Sequence, residues 1–156
     1  MRRKRVFDKE IIPDPKYKNK IIARFINMVM TDGKKSLAEN IVYGALDITS
    51  EKLGENDAIK ILNKALDNAR PRLEVKPRRV GGATYQVPIE VKELRGISLA
   101  LRWIRDFARI KKGKPMEEKL ADEIISAYKG EGSAIKKRDD THKMAESNKA
   151  FAHFRW

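Results

Sequence analysis

A mainly α-helical single domain, a bundle of about six helices with one protruding β-hairpin, is the fold class this sequence predicts. Three observations lead there. Apolar residues recur at helical spacing in several separate stretches. One stretch, residues 72–91, instead alternates in the manner of strands around Gly81-Gly82, a loop that supplies the positive φ angles of a tight hairpin turn. The chain has 156 residues, 41% of them hydrophobic, which suffices for one respectable core and leaves little room for a second.

The elements follow in order. Residues 1–18 read as a flexible basic arm, with Arg2, Arg3, Lys4 and Arg5 at its start and Pro13 and Pro15 discouraging helix. Ile21, Ile22, Phe25, Ile26, Val29 and Met30 mark the first helix, and Gly33 stands where a C-cap would. Ser36 and Glu39 have the spacing of a capping box for a second helix, which would face Leu37, Ile41, Ala45 and Ile48 inward and end at Gly54. A third helix starts near Asp57, turns Ile59, Leu62, Leu66 and Ala69 inward, and stops before Pro71.

In the hairpin, a Gly81-Gly82 loop sets Val80 opposite Ala83, Arg78 opposite Tyr85, Lys76 opposite Val87 and Glu74 opposite Ile89. That pairing leaves no clean apolar face, so the outer half is expected to stand away from the body, ordered by what it binds. Pro77 lacks an N–H and needs an outward-facing edge position or a bulge. The next helix, about Leu94 to Arg109, buries Ile97, Leu101, Ile104 and Ala108. Arg95, Arg102, Arg105 and Arg109 fall within roughly 80° of one another on its circumference, an arginine stripe. A loop with Lys111, Lys112 and Lys114 leads to Pro115 as the first residue of a helix ending before Gly130. The last helix runs from about Ala134 into the 140s, before the aromatic close Phe151, Phe154 and Trp156.

Charge narrows the function. Thirty-five basic against 22 acidic side chains give +13 and a pI near 10.0, which points to RNA, DNA or an anionic surface. A membrane is the weakest of these, because no apolar run approaches the roughly 20 residues of a spanning helix. The absence of cysteine rules out disulfides and thiolate metal sites, and two separated histidines, His142 and His153, make a poor zinc centre, so neither metal nor cofactor is expected. Gly33-Lys34-Lys35-Ser36 ends like a P-loop, but the upstream glycine would fall at Met28 and no strand precedes it. No Ser-His-Asp set, carboxylate pair or small-molecule site stands out, so catalysis is not expected.

What remains is nucleic acid. The hairpin crowds Arg70, Arg72, Lys76, Arg78 and Arg79 onto its first limb and places Tyr85 on its second, a combination suited to phosphates and exposed bases. Arm, hairpin and stripe are three separate basic clusters on one small domain, which suggests a folded RNA gripped from several sides. Two rivals stand beside this. An architectural DNA-binding protein would use a basic β-arm in the minor groove, although such arms commonly carry an apolar wedge where this chain has Gly81-Gly82. An RNA-modifying enzyme would need a cofactor loop or catalytic constellation that is not visible.

Longer motifs carry a resemblance. Asn19-x-Ile21, Phe25-Ile26, Gly33-Lys34-Lys35 and Ile41-Val42 stand in one ordered series with Arg78-Arg79-Val80-Gly81-Gly82-Ala83-Thr84-Tyr85-Gln86-Val87-Pro88. Ser98-Leu99-Ala100-Leu101-Arg102-Trp103 and the run Lys136-Lys137-Arg138-Asp139-Asp140-Thr141-His142 into the aromatic tail complete it. The whole chain resembles the family of bacterial small-subunit ribosomal protein seven, departing from it at Pro77. The resemblance implies a cytoplasmic ribosomal protein that is a primary binder of the 3′ major domain of small-subunit rRNA and nucleates head assembly. It implies a place at the tRNA exit site near mRNA, with the eleventh small-subunit protein and other head proteins as neighbours, and for some members translational autorepression. Arg2, Arg3, Lys4, Arg5, Lys34, Lys35, the arginine stripe, Lys111, Lys112, Lys114, Lys136, Lys137 and Arg138 are then the expected rRNA contacts. Arg72, Lys76, Arg78, Arg79, Gly81, Gly82 and Tyr85 form the expected hairpin surface towards mRNA and tRNA.

Overall fold

The computed structural model describes residues 11–154. Among them are α1 (Lys20–Val29), α2 (Lys35–Leu53), α3 (Ala58–Ala69), β1 (Leu73–Val80), β2 (Ala83–Glu90), α4 (Glu93–Ile110), α5 (Met116–Tyr128), α6 (Ser133–Ser147) and a short 3-10 helix, Lys149–Phe154. The expected fold class is the observed one: a helical domain with a two-stranded antiparallel hairpin.

The core lies among the first five helices. Phe25, Ile22 and Ile26 of α1 meet Leu46 of α2, Ile61 and Leu62 of α3, Leu101 and Ile104 of α4, and Leu120 and Ile124 of α5, all essentially without solvent exposure. α5 is the central rod, packing on α2, α3 and α4. It comes so close to α2 that a Cβ at Gly44 would sit 2.7 Å from a carboxylate oxygen of Glu117. α1, α3 and α5, of 10, 12 and 13 residues, are marginal alone in water, so the buried faces are what hold them.

Local chemistry sets the ends. Asn19 caps α1, its side-chain oxygen accepting the Ile21 N–H at 2.7 Å. Asp57 caps α3 through the N–H groups of Ile59 and Lys60, both at 3.1 Å. Ahead of α1, the buried Asp14 accepts from the N–H groups of Tyr17 and Asn19 and from the Tyr43 hydroxyl of α2. The segment from Asp14 to Asn19 is thereby tied to the body. Arg2, Arg3, Lys4, Arg5 and Trp156 lie outside the described residues.

Four local expectations are corrected. α1 ends at Val29 with Met30 as its cap, so Gly33, at φ +73°, belongs to the turn beyond it. α2 begins at Lys35, which puts Ser36 inside the first turn and leaves the N-cap, Lys34, without a side-chain cap bond. Its buried face is Ala38, Val42, Ala45, Leu46 and Thr49, one residue on from the expected stripe, and Leu37 is left 56% exposed. The reason is that α2 is flanked by α1, α3 and α5, and three neighbours widen and rotate the apolar face beyond what one helix period shows. Pro115 is the residue before α5 and not its first.

The hairpin register is the one the sequence implies: Val80 pairs with Ala83, Arg78 with Tyr85, Lys76 with Val87 and Glu74 with Ile89. Gly81 and Gly82 turn it at φ +56° and +90°, both in the left-handed region, as a type I′ turn requires. The Val91 N–H donates to the Arg72 carbonyl at 2.9 Å, so hydrogen-bonded pairs fall at every second step from Arg72 and Val91. Pro77 opposite Gln86 and Pro88 opposite Val75 therefore occupy non-hydrogen-bonded positions, where no N–H is needed. No bulge is required.

What the pairing pattern did not reveal is how much of the ribbon is backed. Val87 is fully buried and Glu74 is 8% exposed, because α6 and the 3-10 helix lie against the strands. Phe151 and Phe154 of that 3-10 helix pack on Tyr85, with ring centroids 5.2 and 5.0 Å away. Only the tip, Gly81 to Thr84, is exposed on every residue. The tertiary contacts supply the apolar face that two strands lack.

Candidate nucleic-acid interface

The cationic side chains divide by what they already touch. Lys34, in the turn before α2, Arg102 on α4, Lys112 in the following loop, Lys136 and Lys137 on α6, and Arg79 near the hairpin tip are exposed. None of them makes an ion pair or side-chain hydrogen bond among the described residues. Lys35 reaches Glu39 only at 3.9 Å, from a largely exposed position. Such charges cost little to hold in water and are free to meet phosphate.

Other members of the expected set also serve the fold. Arg105 donates to the Met28 carbonyl at 3.1 Å and Arg109 to the Val29 carbonyl at 3.1 Å. These are terminal carbonyls of α1 with no partner inside the helix, so α4 caps α1. Arg105 is also paired with Asp106 at 2.6 Å. Arg138 of α6 donates to the Asn68 carbonyl near the end of α3 and is paired with Asp139. Asn68 in turn donates to the carbonyls of Ala127 and Tyr128 at the end of α5, each at 3.0 Å. Lys111 is held by the buried Glu123 at 2.8 Å and Lys114 by Asp122 at 3.1 Å. Burial alone would raise the Asp122 carboxyl, but hydrogen bonds from Lys52 and Lys114 outweigh it and hold the group below the usual range.

Arg95 joins the stripe to the hairpin. Its Nε and Nη2 donate to the two oxygens of Glu74 at 2.7 and 2.9 Å, a bidentate fork that raises the guanidinium pKa further. Lys76 adds a weaker contact to the same carboxylate at 3.8 Å. The fork fixes the ribbon against α4 while the Arg95 side chain stays 52% exposed. The role of Glu74 escaped the sequence reading. Its signal was an acid standing alone among Arg72, Lys76, Arg78 and Arg79.

His142 was also missed as a joint. Its Nε2 accepts the backbone N–H of Arg72 at 2.9 Å, tying α6 to the ribbon where β1 begins. Burial, reinforced by the neighbouring Arg138 charge and only partly offset by Asp139, pushes the imidazole below its ordinary 6.5. The neutral ring is the one that can accept this bond. Below pH 6.5 the unfolded chain takes up the proton first, so this contribution is complete above 6.5 and fades as pH falls towards the lowered folded-state value. A ¹H–¹⁵N imidazole titration is expected to place His142 below 6.5, and stability should decline less across that window in His142→Gln. A midpoint at or above 6.5 would contradict the assignment.

Taken together, exposed cations sit on the turn before α2, on α4, on the α4–α5 loop, on α6 and at the hairpin tip of one helical domain. Among the described residues no group of His, Asp or Glu could hold a metal ion, and no helix is long and apolar enough to cross a membrane. The model of the family described as Ribosomal protein S7p/S5e matches residues 1–149. The chain belongs to the ribosomal protein S7p/S5e family. Relatives of this family named small ribosomal subunit protein uS7 align over the full length. Those of Thermotoga maritima and Fervidobacterium nodosum are 59% and 58% identical over 156 residues, covering all of both chains. That of Geotalea uraniireducens is 56% identical over 155 residues, 99% of each chain. As a member of the S7p/S5e family the protein is a structural component of the small ribosomal subunit and not an enzyme.

Proposed function

We propose that this protein is a primary binder of the 3′ major domain of small-subunit rRNA, nucleating assembly of the subunit head. Its hairpin lies at the tRNA exit site near mRNA, and the eleventh small-subunit protein and other head proteins are its neighbours. Repression of its own message belongs to the same reading, since a messenger that imitates the rRNA junction would meet the same cations. The observation that carries the proposal is the spread of unengaged cations, Lys34, Arg102, Lys112, Lys136 and Lys137, over separate elements of one helical domain. A single helix would favour one groove, whereas charges on several faces suit a point where RNA helices converge. Arg2, Arg3, Lys4 and Arg5 extend the set. Lys35, Arg95, Arg105, Arg109, Lys111, Lys114 and Arg138 take part at the edges left free by their contacts within the chain.

The hairpin is assigned separately, because its exposed tip projects beyond α6 and the 3-10 helix. Chemical footprinting on small-subunit rRNA tests the division, comparing the intact chain with Arg78→Ala/Arg79→Ala. Body-dependent protections are expected to persist, and those of bound mRNA or exit-site tRNA to weaken. Equal loss of rRNA protection from this variant and from Arg102→Ala would refute it.

A further inference from the structure

Between the base of the hairpin, α6 and the 3-10 helix lies an open hollow of about 460 Å³. Its size falls within the roughly 300–1,000 Å³ of small-molecule clefts. Leu73 and Pro88, partners of neighbouring rungs on the two strands, form one wall, and Ala145 and Ala152 form the other. His142 also lines the hollow. Because its Nε2 accepts the Arg72 N–H, the neutral ring carries its proton on Nδ1. Arg72 and Lys149 stand exposed among the lining residues, and Glu146 of α6 is the one acid there.

We propose that this hollow seats a single unpaired RNA nucleobase bearing an exocyclic amino group, an inference that rests on the RNA-binding function above. Apolar walls of proline, leucine and alanine suit the faces of a flat ring extruded from its stack. Arg72 and Lys149 flank the opening where the phosphates on either side of such a base would pass, and two cations to one acid give the rim the complementary sign. The lone carboxylate selects among bases. It accepts hydrogen bonds and donates none, so it favours the amino group of cytosine and repels the carbonyl that uracil carries at the same ring position. An apolar peptide side chain would use the walls but would leave both rim cations and Glu146 unmatched. The hollow is distinct from the hairpin tip and from the α4 face.

The test uses the full chain with ¹³C-labelled leucine and alanine methyls, titrated with the single-stranded tetranucleotides of cytidine and of uridine at one salt concentration. Methyl shifts at Leu73, Ala145 and Ala152 are expected with both, with oligocytidine binding about tenfold tighter. Glu146→Gln, an isosteric change at an exposed position, is expected to abolish that preference, and Ala152→Trp to remove the pocket shifts by filling the hollow. Equal affinity for the two oligomers, an unchanged preference in Glu146→Gln, or shifts confined to the α4 face would overturn the nucleobase seat while leaving rRNA binding intact. Saturation of the same methyls by a head-protein peptide and not by RNA would overturn it in favour of a protein partner. Failure of the unaltered chain to bind small-subunit rRNA in a parallel filter assay would remove the function on which it rests.

Discussion

Replacing Lys34, Arg102, Lys112, Lys136 and Lys137 together by alanine is expected to lower affinity for small-subunit rRNA by about a thousandfold at physiological salt. Each cation on a phosphate releases condensed counterion, so removing five should also flatten the slope of log affinity against log salt by about four. Filter-binding titrations across salt concentrations measure both. The fold should barely notice, because these side chains are exposed and engage nothing else among the described residues. A salt slope equal to that of the parent would show that the five do not meet phosphate. Arg138→Ala is the informative contrast. It strips the donor from the Asn68 carbonyl and is expected to cost about 1–3 kcal/mol of stability. The same change of residue type thus reads out as binding at one set of positions and as folding at another.

Truncating Phe25 to alanine is expected to destabilise the domain by about 3–5 kcal/mol, in urea or thermal unfolding. Phe25 is fully buried in α1 within the cluster that joins all the core helices, so the vacated volume cannot be refilled by solvent or by small shifts of one neighbour. Against a total of roughly 5–15 kcal/mol for a domain, that loss should leave a substantial unfolded fraction at elevated temperature. Leu37→Ala, in the next helix, should change stability by less than about 0.5 kcal/mol, because Leu37 is 56% exposed despite its place in the apparent apolar stripe. A large effect at Leu37 would mean that the rotated face of α2 is wrongly placed.

Much of the fold was legible because its signals are local. Asp57 before Ala58, the alternation of Tyr85, Val87 and Ile89, and the paired glycines between two strands each act over a few residues. The hairpin register therefore came out pair for pair. The capping box at Ser36 misled because its spacing is a weak signal, and the turn after α1 carries the chain into helix two residues sooner. The free-standing ribbon was half right. Two strands lack an apolar face, but Phe151 and Phe154, some seventy residues away in sequence, bring one.

For the interface, composition and the ordered motifs sufficed to name a polyanion and the family, since net charge and residue type need no geometry. Composition cannot say which cations are available. Arg102 and Arg105 stand three residues apart on one helix, yet one is exposed and unengaged while the other caps α1 through Met28. That distinction depends on where the end of another helix falls, and an orphan carbonyl takes whichever donor the packing brings within reach. Periodicity, turn chemistry and net charge are properties of the chain, and from them follow the helical class, the hairpin with its register and the charge that calls for RNA. Packing alone settles which arginines remain for a ligand, how Glu74 and His142 hold the ribbon to the body, and where Tyr85 rests. Those are contacts between residues far apart in sequence, settled when the helices bury their faces together.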